Sequence, residues 1–304
     1  MMTLPALALA PAALAWLRQT NMARVLNSFD RACNLVNSNG EVLAVVTSQR
    51  GLTPFAVVVA SGQPSPFRVV TEASEVQVQP GRLRVGPYRI DTTAARLWDP
   101  TPDWPALRRL FAGSARLDEL AALAAGQGPA GSMLELFEPA GQAQALLPTV
   151  SRRARQGAVD LVTGMQSGAA ETAMAGAGRL AGLGGGLTPA GDDFVLGVLL
   201  AAWAGLYGAR AERQAGAIAE AAAPRTTTLS AAYLRAAARG ECSAYWHALF
   251  AALLKPDAAE LRQALSALLA VGHTSGADAL AGFLAGRLVA PGRVVDSNIT
   301  TSGG

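Results

Sequence analysis

Gly184-Gly185-Gly186-Leu187-Thr188-Pro189-Ala190-Gly191-Asp192-Asp193 runs directly into Phe194-Val195-Leu196-Gly197-Val198-Leu199-Leu200-Ala201-Ala202-Trp203, and this pair of stretches decides how the chain is built. A helix is predicted to start here, with Thr188 as N-cap and Pro189 at the first helical position, where its missing N–H costs nothing. The run that follows is apolar nearly all round, which predicts a buried helix. Two adjacent acids would then stand at the mouth of a core helix, behind a glycine triplet.

Three chemistries suit such a mouth. Backbone N–H groups of Gly184, Gly185, Gly186 and Gly191, with the positive end of the helix dipole, can cradle a phosphate or carboxylate, and Thr188 can add a hydroxyl. Asp192 and Asp193 can hold Mg²⁺, which takes one or two carboxylates and leaves its other positions to water and substrate phosphate. Either acid can instead accept a hydrogen bond from a substrate amide or ammonium. The plain alternative is that the acids complement the helix dipole while the glycines form a turn. No Lys-Ser or Lys-Thr pair follows the glycines and no strand pattern leads into them, so neither a P-loop nor a dinucleotide fingerprint is present.

Two further polar helix starts lie downstream. Gly272-His273-Thr274-Ser275-Gly276-Ala277-Asp278 precedes the apolar Ala279-Leu280-Ala281-Gly282-Phe283-Leu284, and Ser275 with Asp278 reads as a capping box. Capping alone explains Ser275 and Asp278 but not His273, a candidate proton-transfer or anion-binding group; a lone histidine is more often structural. Pro224-Arg225-Thr226-Thr227-Thr228-Leu229-Ser230 places an arginine and four hydroxyls ahead of a helical pattern, a set able to bind an oxyanion or simply to cap that helix. Three such starts in one apolar half predict a shared cavity.

On these residues the chain resembles the AllH family. The resemblance rests on GLGGGLTPAGDDFVLG at 182–197, TTTLSAAYLRAAARG at 226–240 and GHTSGADALAG at 272–282, and it covers the first half only in general layout. It implies a subunit of the bacterial oxamate carbamoyltransferase of anaerobic allantoin breakdown, which interconverts oxalurate plus phosphate with oxamate plus carbamoyl phosphate alongside other subunits. No residue roles come with it. From chemistry, carbamoyl phosphate or a similar small anion is expected over the Gly184–Gly191 segment. Asp192 and Asp193 would bind Mg²⁺ or the substrate amide, and Arg225, Thr226, Thr227, Thr228, Ser230, Thr274, Ser275, Gly276 and Asp278 would complete the polar wall. Carbamoyl transfer needs charge stabilisation at the carbonyl and phosphate oxygens more than a protein nucleophile. A non-catalytic binding or scaffold subunit, and a Mg²⁺-dependent phosphotransfer or hydrolytic enzyme, are the rival classes.

Composition agrees with a globular enzyme or enzyme subunit. The 304 residues are 51% hydrophobic and only 15% charged, enough to bury a large core in one big or two medium domains. A net charge of +3 without Lys/Arg blocks argues against nucleic acid and suits a small anionic substrate. Cys33 and Cys242 are too few and too far apart for a disulfide framework or a zinc site, and nothing indicates a nicotinamide or flavin. Residues 1–17 are apolar but lack a leading basic residue and contain Pro5 and Pro11, so a packed or frayed terminal helix is expected over a signal peptide. No run is long enough for a membrane span, and a cytoplasmic location is expected.

The organisation shifts from strands to helices, an α+β protein with a small N-terminal β domain and a larger Ala/Leu-rich helical one. Val42–Thr47, Phe55–Val59, Val69-Val70, Val76–Val78 and Leu83–Val85 read as strands. Residues 1–105 are expected to be mainly β, 106–150 a helical linker region with a helix at 106–125, and 151–295 the helical domain carrying the glycine-rich site. Two GLTP stretches, at 51–54 and 186–189, have different flanks and read as coincidence.

Overall fold

The computed structural model describes residues 1–113, 115–125, 127–137, 149–209 and 211–288. The expected helical features at 138–148 and 289–295 lie outside the described residues. The N-terminal half holds β1 (Met2–Leu9), α1 (Pro11–Gln19), β2 (Ala23–Ser28), β3 (Ala32–Asn37), β4 (Val42–Thr47), β5 (Ala56–Val59), β6 (Val76–Gln79), β7 (Arg82–Val85), β8 (Tyr88–Asp91) and β9 (Arg96–Leu97). Their order in the sheet is β2-β3-β4-β5-β1-β8-β7-β6, with β9 pairing β1. Parallel pairs β4–β5, β1–β8 and β1–β9 are mixed with antiparallel ones, and the two end strands, β2 and β6, touch. The sheet therefore curls over a core of Trp16, Leu35, Leu43, Val57, Leu83 and Ile90.

The N-terminus corrects one expectation. Residues 2–9 form a strand near the middle of the sheet rather than part of a terminal helix, because Leu4 and Ala6 face the core while Thr3, Pro5 and Leu7 face out, the alternation of a strand. Pro11 does not interrupt a helix but starts one, standing first in α1. Val69-Val70 is not a strand either. Val69 ends a short 3-10 turn, Pro66–Val69, opened by a proline at its N-terminus. The other predicted strands are present as β4 to β7.

Strands β3, β4 and β5 are buried along their whole length. The near-continuous apolar runs of β4 and β5 are expected of strands covered on both faces, and β3 adds the buried Asn34 and Asn37. One face looks into the curled core; on the other, Ala32, Ala44, Val46, Ala56 and Val58 pack with Leu229 of the helical half.

That half holds α2 (Trp104–Ala112), α3 (Ala115–Ala124), α4 (Thr149–Ser167), α5 (Ala170–Leu180), α6 (Ala190–Trp203), α7 (Ala215–Ala222), α8 (Thr228–Ala238), α9 (Ala244–Leu253), α10 (Ala258–Leu269) and α11 (Ser275–Leu288). The helix expected at 106–125 is thus two helices broken at Gly113, and Leu107, Phe111, Leu117 and Leu120 share one core with α6 and α11. The buried helix predicted after the glycine run is α6: Phe194, Val195, Val198, Leu199 and Leu200 are fully covered. Each such side chain contributes about 1.5–3 kcal/mol by leaving water.

Helices α6 and α11 cross at backbone contact, and glycines make this possible. A Cβ on Gly197 would lie 1.9 Å from the Ala279 carbonyl oxygen, and one on Gly282 would lie 2.0 Å from that of Phe194. The pattern Gly-x-Asp-x-x-x-Gly occurs in both helices, at 191–197 and 276–282. The crossing therefore sets two matching helix starts against each other, each bearing a buried aspartate.

Candidate functional site

The start of α6 is built differently from its sequence reading. Pro189 itself is the N-cap, at φ −54° and ψ 144°, and Thr188 lies one residue outside. Thr188 is not free to cap because its hydroxyl meets that of Ser275 at 3.0 Å. The Gly191 N–H donates to the Leu183 carbonyl at 2.9 Å, and those of Asp192 and Asp193 turn to Pro189. The Gly191, Asp192 and Asp193 amides are thus spent within the protein. Gly184, Gly185 and Gly186 are exposed, with φ of +114° at Gly184 and +88° at Gly186. Positive φ there favours glycine, whereas a Cβ on Gly185 would meet open space. Gly191 serves packing, since a Cβ there would lie 2.1 Å from the Leu180 carbonyl oxygen.

Asp192 and Asp193 point to different tasks. Asp192 is 2% exposed and accepts from the Gly182 N–H at 3.0 Å and from the Thr226 hydroxyl, so it staples the glycine loop to the approach of α8. Thr227 caps α8, accepting from the Ser230 N–H at 3.0 Å, and donates to the Leu187 carbonyl at 2.6 Å. Ser230 is buried and reaches the same carbonyl at 3.5 Å. Burial raises the Asp192 carboxyl above its ordinary range, partly offset by the Thr226, Gly182 and Ser230 hydrogen bonds.

Asp193 has only the Ser275 and Thr188 hydroxyls beside it. It is 8% exposed and its Oδ2 is buried without a hydrogen-bond partner. Burial pushes its carboxyl well above the carboxylate range, the Asp278 and Asp192 charges add to this, and the Ser275 and Thr188 hydroxyls oppose it. Asp278, wholly buried, does not close the predicted capping box: α11 begins at Ser275 itself, and the Asp278 Oδ1 accepts from the Met133 N–H at 2.6 Å. The short 3-10 turn at Met133 brings a buried donor that outcompetes the helix start. Burial raises Asp278 as well, against the Met133 and Thr274 hydrogen bonds, and its Oδ2 is also unpartnered.

Two of the three segments bring polar groups to one cavity, and the third, 225–230, reaches it only through Leu229. Thr188, Asp193, Ser275 and Gly276 line one cavity of about 280 Å³ at the seam between the sheet and the helices. That is near the lower end of ligand pockets, the size of a small metabolite. A Cβ on Gly276 would lie 1.9 Å from the Leu268 carbonyl oxygen, so glycine lets α11 start hard against α10. His273, Thr228 and Arg225 are exposed and do not line the cavity; Arg225 donates to the Gly178 carbonyl at 3.3 Å. Asp192, Thr226, Thr227, Ser230, Thr274 and Asp278 do not line it either.

Sequence reasoning missed the opposite wall. Asn34, Arg50 and Thr53 come from the sheet half, and Tyr233 comes from α8. Asn34 is held by Asn27, to whose Oδ1 its side-chain amide donates at 2.7 Å. Arg50 and Asp193 both act on the Tyr233 phenol, with opposite effects on its ionisation. One signal was available, since Arg50 immediately precedes the first GLTP stretch, and residues of both GLTP stretches line this cavity. Among the described residues no group of three or more His, Cys, Asp or Glu side chains is placed to hold a metal ion.

The fold and the cavity define an α+β protein whose two halves share one small, acid-bearing pocket. The AllH family N-terminal domain matches residues 5–97, and the family described as oxamate carbamoyltransferase subunit AllH matches residues 180–287. The chain belongs to the AllH family. The cavity draws on both matched stretches, Arg50 from the first and Asp193 from the second. No solved structure matches the chain. Among the described residues no helix is long and apolar enough to cross a membrane.

Proposed function

We propose that this chain provides the acceptor pocket of an oxamate carbamoyltransferase, holding oxamate in one direction and oxalurate in the other while the carbamoyl group is exchanged with phosphate. The observation that carries this is the buried, unpartnered Oδ2 of Asp193 in a cavity that also takes Arg50. A buried acceptor without a donor calls for a ligand N–H, and an arginine calls for a carboxylate. Oxamate and oxalurate carry both groups at opposite ends. Substrate amide donors would also draw the Asp193 carboxyl back to its charged form.

The same inventory favours a phosphate site elsewhere. Arg50 is the one cation among the described residues lining the cavity, against Asp193 and Glu241, and the Gly191, Asp192 and Asp193 amides of α6 are already engaged. A multiply charged phosphoryl group is poorly served by such a wall. Partner subunits completing the site over the cavity supply that charge, which favours a subunit that works only in complex. Mg²⁺ at Asp193 is the alternative source; Asp192 is turned away and occupied.

Calorimetric titration of the full chain with oxamate, and with carbamoyl phosphate with and without Mg²⁺, tests this. Oxamate binds, and Arg50→Gln weakens it about tenfold or more, as expected for a lost charged hydrogen bond. Turnover appears only with the partner subunits. Mg²⁺-dependent binding of carbamoyl phosphate that ignores Arg50→Gln overturns the assignment in favour of phosphotransfer chemistry.

A further inference from the structure

The cavity wall holds a second polar feature that neither Asp193 nor Arg50 explains. Tyr233 lines the cavity from α8, and its ring is fixed edge-on against Phe55 of the sheet half, centroids 4.7 Å apart at 61°. The Thr53 hydroxyl faces its phenol and acts on it as a polar neighbour, yet this buried hydroxyl reaches no partner in hydrogen-bond geometry, and Thr53 lines the same cavity. Buried hydroxyls are nearly always paired, so an unpaired one in a pocket wall marks a position where a ligand atom completes the set. Both groups are neutral: burial holds the Tyr233 phenol up at about 12, so it keeps its proton and donates. With a carboxylate assigned to Arg50 and an amide N–H to Asp193, the ligand atom left without a partner is the carbonyl oxygen.

We propose that the Tyr233 and Thr53 hydroxyls form a carbonyl-recognition pair that selects amide and ureido acids over simple carboxylates. This rests on the substrate pocket assigned above. A site built to hydrogen-bond a group rejects analogues lacking it, because its own polar atoms are then left buried and unpaired. Tyr233 and Thr53 are specificity-determining residues on this basis, one from each half of the chain.

The test compares two probes on the full chain: oxamate, and acetate, which keeps the carboxylate and lacks the carbonyl. Tyr233→Phe retains the ring against Phe55, and Thr53→Val retains the shape. Each variant is expected to weaken oxamate about fivefold to tenfold, to leave acetate unchanged, and to melt within a few degrees of the wild type. Equal loss for both probes, or none for either with Arg50→Gln and Asp193→Asn still defective, overturns the pair. Unaltered oxamate binding in all four variants, or no binding to the wild type, removes the substrate pocket itself, and the pair's role with it.

Discussion

Asp193→Asn separates the cost of burying the acid from its use. The aspartate carboxyl is raised well above its ordinary value of 3.8, chiefly by burial and further by the Asp278 and Asp192 charges. The folded state therefore holds the Asp193 proton more tightly than the unfolded chain. The stability this provides is complete below pH 4, where both states are protonated, and drains away as pH rises through the folded-state value. For one proton the slope reaches about 1.4 kcal/mol per pH unit. Asparagine keeps the shape and one acceptor oxygen and does not titrate, so the variant lacks this loss. Urea unfolding at half-unit steps from pH 4.5 to 8 should show the variant gaining on the wild type as pH rises, then levelling off. Oxamate affinity should move oppositely: in the wild type it strengthens with pH as the carboxylate forms, and in the variant it is weak throughout. Parallel stability curves would show that Asp193 is not held protonated by its surroundings. Unchanged oxamate binding would remove it from the site.

Two other perturbations address the scaffold. Gly197→Ala drives a methyl to within 1.9 Å of the Ala279 carbonyl oxygen, forcing α6 and α11 apart, and should destabilise by about 1–3 kcal/mol in urea titration with oxamate affinity falling in parallel. Thr227→Ala removes the cap of α8 and the hydrogen bond to Leu187, for an expected loss of about 1–2 kcal/mol, and amide exchange should quicken in both segments while an unaltered profile argues against the tie.

The fold was legible where local signals agree with tertiary demands. Residues 42–46 and 194–203 are apolar throughout and had little choice but to be buried, one as a valine-rich strand, the other as a helix long enough to span the core. The N-terminus was misread for a definite reason: MTLPALAL is alanine- and leucine-rich, favourable to helix, and only its alternation betrays a strand. Propensity lost to pairing with β5 and β8 on either side. The 3-10 turn at Pro66 likewise overrode the strand preference of Val69 and Val70, because the proline fixes its own backbone and lacks the N–H a strand needs.

The site was legible as a place and less so as a set of groups. Two of the three predicted helix starts bring polar groups there and the third brings only Leu229, while the glycines that drew attention to it divide between backbone geometry, at Gly184 and Gly186, and close packing, at Gly191 and Gly276. Sequence adjacency also made Asp192 and Asp193 look like a pair. On a helix, neighbours point about 100° apart, and that rotation turns Asp192 into the loop and Asp193 into the cavity. The missing wall could not be read from the second half, because Arg50 and Thr53 reach the cavity only once the outer face of β3, β4 and β5 has docked on Leu229 and Tyr233 of α8. Apolar docking of the two halves thus creates the polar site: the surface that makes them one protein also brings the arginine of one half into the cavity of the other half's unpartnered acid.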